Sequence, residues 1–104
     1  MQRNRPPSSR TVNVLRALAA DPARWRYGYD LGAEVDLKSG SLYPILVRLA
    51  DRGLLETAWE PGVGSWSPRH LYRLTGAGRD FVAALTAARS ERSATHTRHR
   101  LSEA

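Results

Sequence analysis

The sequence has no cysteine, so a disulfide framework, a thiolate metal site and a cysteine nucleophile are all excluded. It has one methionine and one phenylalanine, and acidic residues are few: ten Asp plus Glu stand against sixteen Lys plus Arg. No apolar run approaches the ~18 residues needed to span a membrane. The first ten residues, MQRNRPPSSR, are basic but lack the apolar stretch of a signal peptide. A cytoplasmic protein is the resulting expectation. Histidines are His70, His96 and His99. The last two are spaced i, i+3, with no evident third ligand, so neither a metal site nor another cofactor is expected. No glycine-rich loop follows a strand and opens a helix as a phosphate cradle would. These absences leave little for catalysis to use, and the chain reads as a non-enzyme.

What is present is a globular composition, with 41% hydrophobic and 25% charged residues over 104 positions, enough for one domain with a modest core. The net charge of +6 favours nucleic acid as a partner, although small ribosomal and membrane-peripheral proteins carry a similar excess.

The chain is organised around Ser39 to Gly53, SGSLYPILVRLADRG. Leu42, Ile45, Leu46 and Leu49 form one helical stripe, and Gly53 stops the helix. The opposite face carries Gly40, Tyr43, Pro44, Val47, Arg48 and Asp51, with Ser41 beside it. A helix that enters a major groove needs slim first turns and donors for base edges and phosphates. Gly40 permits close approach, Ser41 and Tyr43 supply hydroxyls, and Lys38 and Arg48 supply charge. Pro44 lacks an N–H and leaves the Gly40 carbonyl open. Asp51 would repel phosphate, which directs contact to the N-terminal half.

Around this helix the chain divides as follows. Residues 1–8 form a basic tail expected to be disordered, the alternative being a basic arm that lies along DNA. Ser9 or Thr11 caps a first helix with Val12, Leu15, Leu18 and Ala19 on its stripe, ending at Asp21-Pro22. This helix supports the core or packs in a dimer. In ARWRYGY, residues 23–29, aromatics alternate with arginines; they either anchor the second helix or present a nucleic-acid or ligand surface. The second helix runs from Tyr29 to Val35, Asp36 to Lys38 make a tight turn, and Ser39 caps the third. LLETAWE, with Leu55, Thr57 and Trp59 on one side, and RHLYRLT read as two strands around a Gly/Pro loop. Thr75 caps a final helix from Gly76 or Ala77 to about Ser93, whose narrow stripe of Phe81, Leu85 and Ala88, flanked by Val82, suits another chain. Residues 94–104 are polar and expected to be disordered. The fold class is mainly α with a two-stranded β-wing: a winged helix-turn-helix over residues 9–75 and a dimerisation helix over 76–93.

Gly28-Tyr29, Leu42-Tyr43-Pro44, Leu46, Arg48-Leu49, and Tyr72-Arg73-Leu74-Thr75 with Gly78 together resemble the PadR family of bacterial transcriptional regulators, over roughly residues 11–90. The resemblance implies a homodimer that binds a palindromic operator in double-stranded DNA, usually as a repressor. It implies DNA contacts from Ser41, Tyr43 and Arg48, from Lys38 at the helix entrance beside Ser39, Gly40 and Pro44, and from Arg69, His70 and Arg73 on the wing. Dimer contacts would come from Leu15 and Leu18 on the first helix and from Phe81, Val82, Leu85 and Ala88 on the last. Small members of the family bind flat aromatic effectors near the dimer interface, which makes Trp25, Trp59 and Trp66 candidate effector contacts. Three features depart from the family pattern: the short segment between the second and third helices, a wing tip without consecutive basic residues, and a short C-terminal helix, which is similar to the small subfamily with one such helix. The alternative is a winged helix used for protein contact without specific DNA binding.

Overall fold

A computed structural model describes residues 7–64 and 67–103, and of residues 90–103 the backbone only. The expected disordered tail at residues 1–8 therefore lies mostly outside the described residues, as do Trp66 and Ser65 at the wing tip.

Helix α1 spans Ser9–Ala19. Its cap is Ser8, one residue before the expected pair: Ser8 is extended, and its Oγ accepts the Thr11 N–H at 3.2 Å. Ser9 and Arg10 adopt helical dihedrals readily, so the helix extends back to the first hydroxyl able to close its open N–H groups. Val14, Leu15, Ala17 and Leu18 are buried, while Val12 and Ala19 lie at the half-buried edges.

Strand β1 is the two-residue segment Arg26–Tyr27, and helix α2 follows at once over Gly28–Val35. Asp36 closes α2 in the left-handed region (φ 57°), which an Asp side chain tolerates, and the Leu37 N–H reaches back to the Gly32 carbonyl at 2.9 Å. Helix α3 spans Ser39–Asp51. Lys38, not Ser39, is its N-cap, and no side chain caps it. The left-handed step at Asp36 sets Lys38 in the extended region, and the Lys38 carbonyl takes the Ser41 and Leu42 N–H groups, each at 2.9 Å. Ser39 is already inside the first turn.

Gly53 (φ 77°) turns the chain into strand β2, Leu55–Glu60, which pairs antiparallel with strand β3, Arg69–Leu74. The sheet has three strands in the order β1-β3-β2, not the two expected, because Arg26 and Tyr27 pair with Tyr72 and Leu71. Two residues offer no alternation from which such a strand could be read.

Helix α4 runs Gly76–Glu103, past the expected end near Ser93, so the segment expected as a disordered tail continues the helix. Thr75 caps it as expected: its Oγ1 accepts the Gly78 N–H at 3.0 Å and donates to the Gly53 carbonyl at 2.7 Å. One threonine thus joins the start of α4 to the end of α3. Gly78 packs so close to the Leu54 carbonyl that a Cβ there would overlap it.

The core is almost entirely leucine. Leu15, Leu18, Leu31, Leu42, Leu46, Leu49 and Leu74 are fully buried with Val14, and Tyr72 closes one side. No charged or polar residue is buried among the described residues. Leu15 and Leu18, expected at an interface between copies, belong instead to this protomer's own core, since α1 turns them inward against α2, β3 and α4. Phe81, Val82 and Leu85 are half-buried against the same core, with the Arg52 guanidinium 5.2 Å from the Phe81 ring centre. Ala88 is exposed.

Candidate nucleic-acid interface

Burying Leu42, Ile45, Leu46 and Leu49 fixes the rotation of α3 about its axis. Gly40, Pro44, Val47, Arg48 and Asp51 are consequently exposed, and Lys38 and Ser39 stand exposed at the entrance. Tyr43 and Ser41 flank this face on opposite sides. Pro44 sits inside the helix, on the side away from the core, where its missing hydrogen bond opens toward solvent.

On the Ser41 side, α3 meets the beginning of α1. Ser8, Ser9 and Arg10 share a recess of about 420 Å³ with Ser41, Ile45 and Arg48. Three hydroxyls and two guanidinium groups therefore surround one opening. Sequence reading offered Ser8 only as part of a basic arm and did not place Ser9 and Arg10 in the site, because no local spacing links them to α3. Only the fold, which sets the start of α1 beside α3, does so.

On the Tyr43 side, α3 meets the sheet. The Tyr43 ring lies over Gly28, and its hydroxyl is 2.5 Å from the point a Cβ would occupy there. The facing sheet surface carries Leu55, Thr57 and Trp59 on β2, opposite Leu74, Tyr72 and His70 on β3. Trp59 and His70 stack with ring centres 4.2 Å apart and planes 8° from parallel. His70 Nδ1 and the Tyr72 hydroxyl share a hydrogen bond of 2.9 Å. Burial raises the Tyr72 phenol above its ordinary value, and the nearby Tyr43 adds to the shift.

The other sheet surface ties up Arg73, and Arg69 stands at the sheet edge beside the cleft. Arg73 donates from Nε to Glu56 at 2.9 Å and from Nη1 to the Ala23 carbonyl at 3.3 Å, with its guanidinium 4.4 Å from the Trp25 ring centre. Arg73 thus pins the segment before β1 to the sheet, and Trp25 is covered by it. Both residues, expected in a DNA contact and an effector contact, are engaged in packing. Arg69 lies 5.0 Å from the Tyr27 ring centre, and the Tyr27 hydroxyl donates to Glu60 at 2.8 Å. The bond to the Glu60 carboxylate raises the Tyr27 phenol. Arg26 donates to the Ala17 carbonyl at 3.2 Å and pairs with Glu34. Of the aromatics in residues 23–29, only Tyr29 is well exposed, at 83%.

No group of side chains able to hold a metal occurs among the described residues; the side chains of His96 and His99 lie outside them. Among the described residues, no helix is long and apolar enough to cross a membrane.

Helices α1 to α3 with a hairpin directly after α3 define a winged helix-turn-helix domain. The chain belongs to the transcriptional regulator PadR-like family, whose model matches residues 14–84. A PadR-like transcription factor from Bacteroides fragilis is 30% identical, with a TM-score of 0.71 over 85% of this chain and 86% of that one. The PcaV transcriptional regulator from Streptomyces coelicolor is also 30% identical, with a TM-score of 0.68 over 81% of this chain; the match spans only 58% of PcaV. A PadR family transcription regulator from Clostridium difficile R20291 shares the fold at 21% identity, with a TM-score of 0.73 over 88% of this chain and 98% of that one. No curated protein matches the sequence.

Proposed function

We propose that this regulator binds duplex DNA sequence-selectively as a homodimer on a palindromic operator and acts as a repressor. The observation that supports this most is the α3 face: slim at Gly40, hydroxylated at Ser41 and Tyr43, and joined at Arg48 to the basic, serine-rich start of α1. The N-terminal half of α3 enters the major groove. Ser41 and Arg48 reach base edges, while Lys38, Tyr43 and Arg10 hold phosphates. In a dimer, two copies of α3 lie about one helical turn, ~34 Å, apart. Val82, Leu85 and Ala88 on α4 are the surface on which the copies meet, Ala88 being exposed and the other two half-buried. A small aromatic effector relieves repression, and the 64% exposure of Trp59 supports it as the contact.

The test is a titration of the full chain with a short duplex from its own upstream region at several salt concentrations. Phosphate neutralisation makes log K fall linearly with log salt, by about 0.9 per phosphate contacted. A steep slope with preference for one duplex supports the reading. A flat slope with no preference overturns it in favour of a protein-contact module. Sedimentation of the wild type and of Ala88→Glu tests the dimer: the variant should sediment as a monomer, and one that stays dimeric removes α4 from the interface.

A further inference from the structure

The cleft between α3 and the hairpin has a composition that duplex contact does not require. One wall is Tyr43 and Val47 of α3; the other is Trp59, His70 and Tyr72 of the sheet. Its volume is about 720 Å³, within the range of ~300–1,000 Å³ typical of small-molecule sites. Val47 and Trp59 are 55% and 64% exposed, so the core leaves both surfaces unused. The sheet wall is fixed rather than adaptable: Trp59 lies flat on His70, and His70 is tied to the buried Tyr72. A prearranged aromatic wall receives a flat ring with little loss of side-chain freedom.

Charge selects among flat rings. Two charged side chains reach the cleft, Asp30 and Arg69. Arg69 stands over the Tyr27 ring and across the ladder from Glu60, whose carboxylate accepts the Tyr27 hydroxyl, so Arg69 is already engaged at the edge of the sheet. Asp30 is exposed and enters no ion pair among the described residues. Tyrosine and tryptophan faces present the negative lobe of their quadrupole, which also favours positive charge.

We infer that this cleft binds a planar aromatic cation, seated against Trp59 and Tyr43 with its charge toward Asp30, and that occupancy excludes duplex. The exclusion rests on the DNA reading above, because Tyr43 belongs to the face placed against DNA. The effector then acts by direct competition at the α3 face rather than through the spacing of two protomers.

N-methylquinolinium, quinoline and a quinoline carboxylate share one ring system and carry, respectively, positive, no and negative charge at neutral pH. Calorimetric titration of each into the full chain without DNA should give saturable binding of the quinolinium, about tenfold tighter than that of the other two. Trp59→Leu and Asp30→Asn alter exposed residues outside the core, and each should weaken quinolinium binding about tenfold while circular dichroism stays unchanged. Equal binding of all three compounds, or binding indifferent to both substitutions, overturns the site. Adding duplex should raise the apparent Kd of the quinolinium in proportion to duplex occupancy. Undiminished binding on duplex-saturated protein overturns the exclusion alone. Duplex affinity is measured separately by anisotropy, so a chain that binds the cation but no duplex upholds the site and refutes the DNA reading.

Discussion

Tyr43 of α3 lies over Gly28 at the start of α2, its hydroxyl 2.5 Å from where a Cβ on Gly28 would stand. The pair fixes the ring between the DNA-facing helix and the aromatic cleft, and it accounts for a glycine at a position that otherwise takes any residue.

Gly28→Ala should therefore displace the exposed Tyr43 ring rather than the backbone. The expected outcome is a thermal midpoint within a few degrees of wild type, since alanine also favours helix by up to ~1 kcal/mol. Duplex affinity should fall severalfold. An unaltered duplex titration would show that the Tyr43 ring position does not matter for DNA.

Arg48→Ala should weaken binding to the preferred duplex by about 1–3 kcal/mol and relax the preference at one base pair, as loss of a bidentate base contact does. Arg10→Ala should weaken binding to all duplexes alike and lower the salt slope by about one. Arg73→Ala, whose side chain holds Glu56 and Trp25, should instead leave the salt slope unchanged and lower stability by about 1 kcal/mol or less, as expected for a partly exposed ion pair. Anisotropy titrations at several salt concentrations and denaturant melts separate the three.

Two glycines in the first turn of α4 should behave oppositely. Gly78→Ala drives a methyl group into the Leu54 carbonyl, a backbone atom that cannot step aside, and should cost about 1–3 kcal/mol. At Gly76 nothing lies within 4 Å of the added carbon, so Gly76→Ala should be neutral or slightly stabilising. Urea melts of both variants check this contrast.

Stability should fall at alkaline pH through Tyr72. Its phenol titrates above the ordinary value of 10.0 in the fold because burial disfavours the phenolate. The contribution is complete below about pH 10 and is lost as pH rises from there through the raised folded-state pKa, since the unfolded chain ionises first. Urea midpoints for wild type and Tyr72→Phe should both fall, the variant's by less. Parallel curves would assign the loss to other groups.

The α3 stripe, the Gly53 stop, the Thr75 cap and the hairpin were legible in the sequence because each depends on residues within a few positions of one another. Hydrophobic period and turn chemistry are local quantities. Most of the motifs that mark the PadR-like family lie in these same segments, so the fold class could be read before any contact was known. The ends of elements were less legible: Ser8 displaced Ser9 as the cap of α1, and Lys38 displaced Ser39 on α3. Neighbouring residues there compete for one position by small differences in dihedral preference.

The sequence by itself determined which side of α3 is buried, since four apolar residues at helical spacing leave only one face for solvent. Tertiary structure alone decided what stands beside that face. Arg10 shares a recess with Arg48 because the start of α1 comes to lie beside α3, and Trp59 meets His70 because the hairpin register pairs them. Arg73 and Trp25 are engaged with each other because β1 pairs along β3 and brings the segment before it across the sheet. Leu15 and Leu18 show the same limit: periodicity marks an apolar face, but only packing decides whether it meets this chain's own core or another copy.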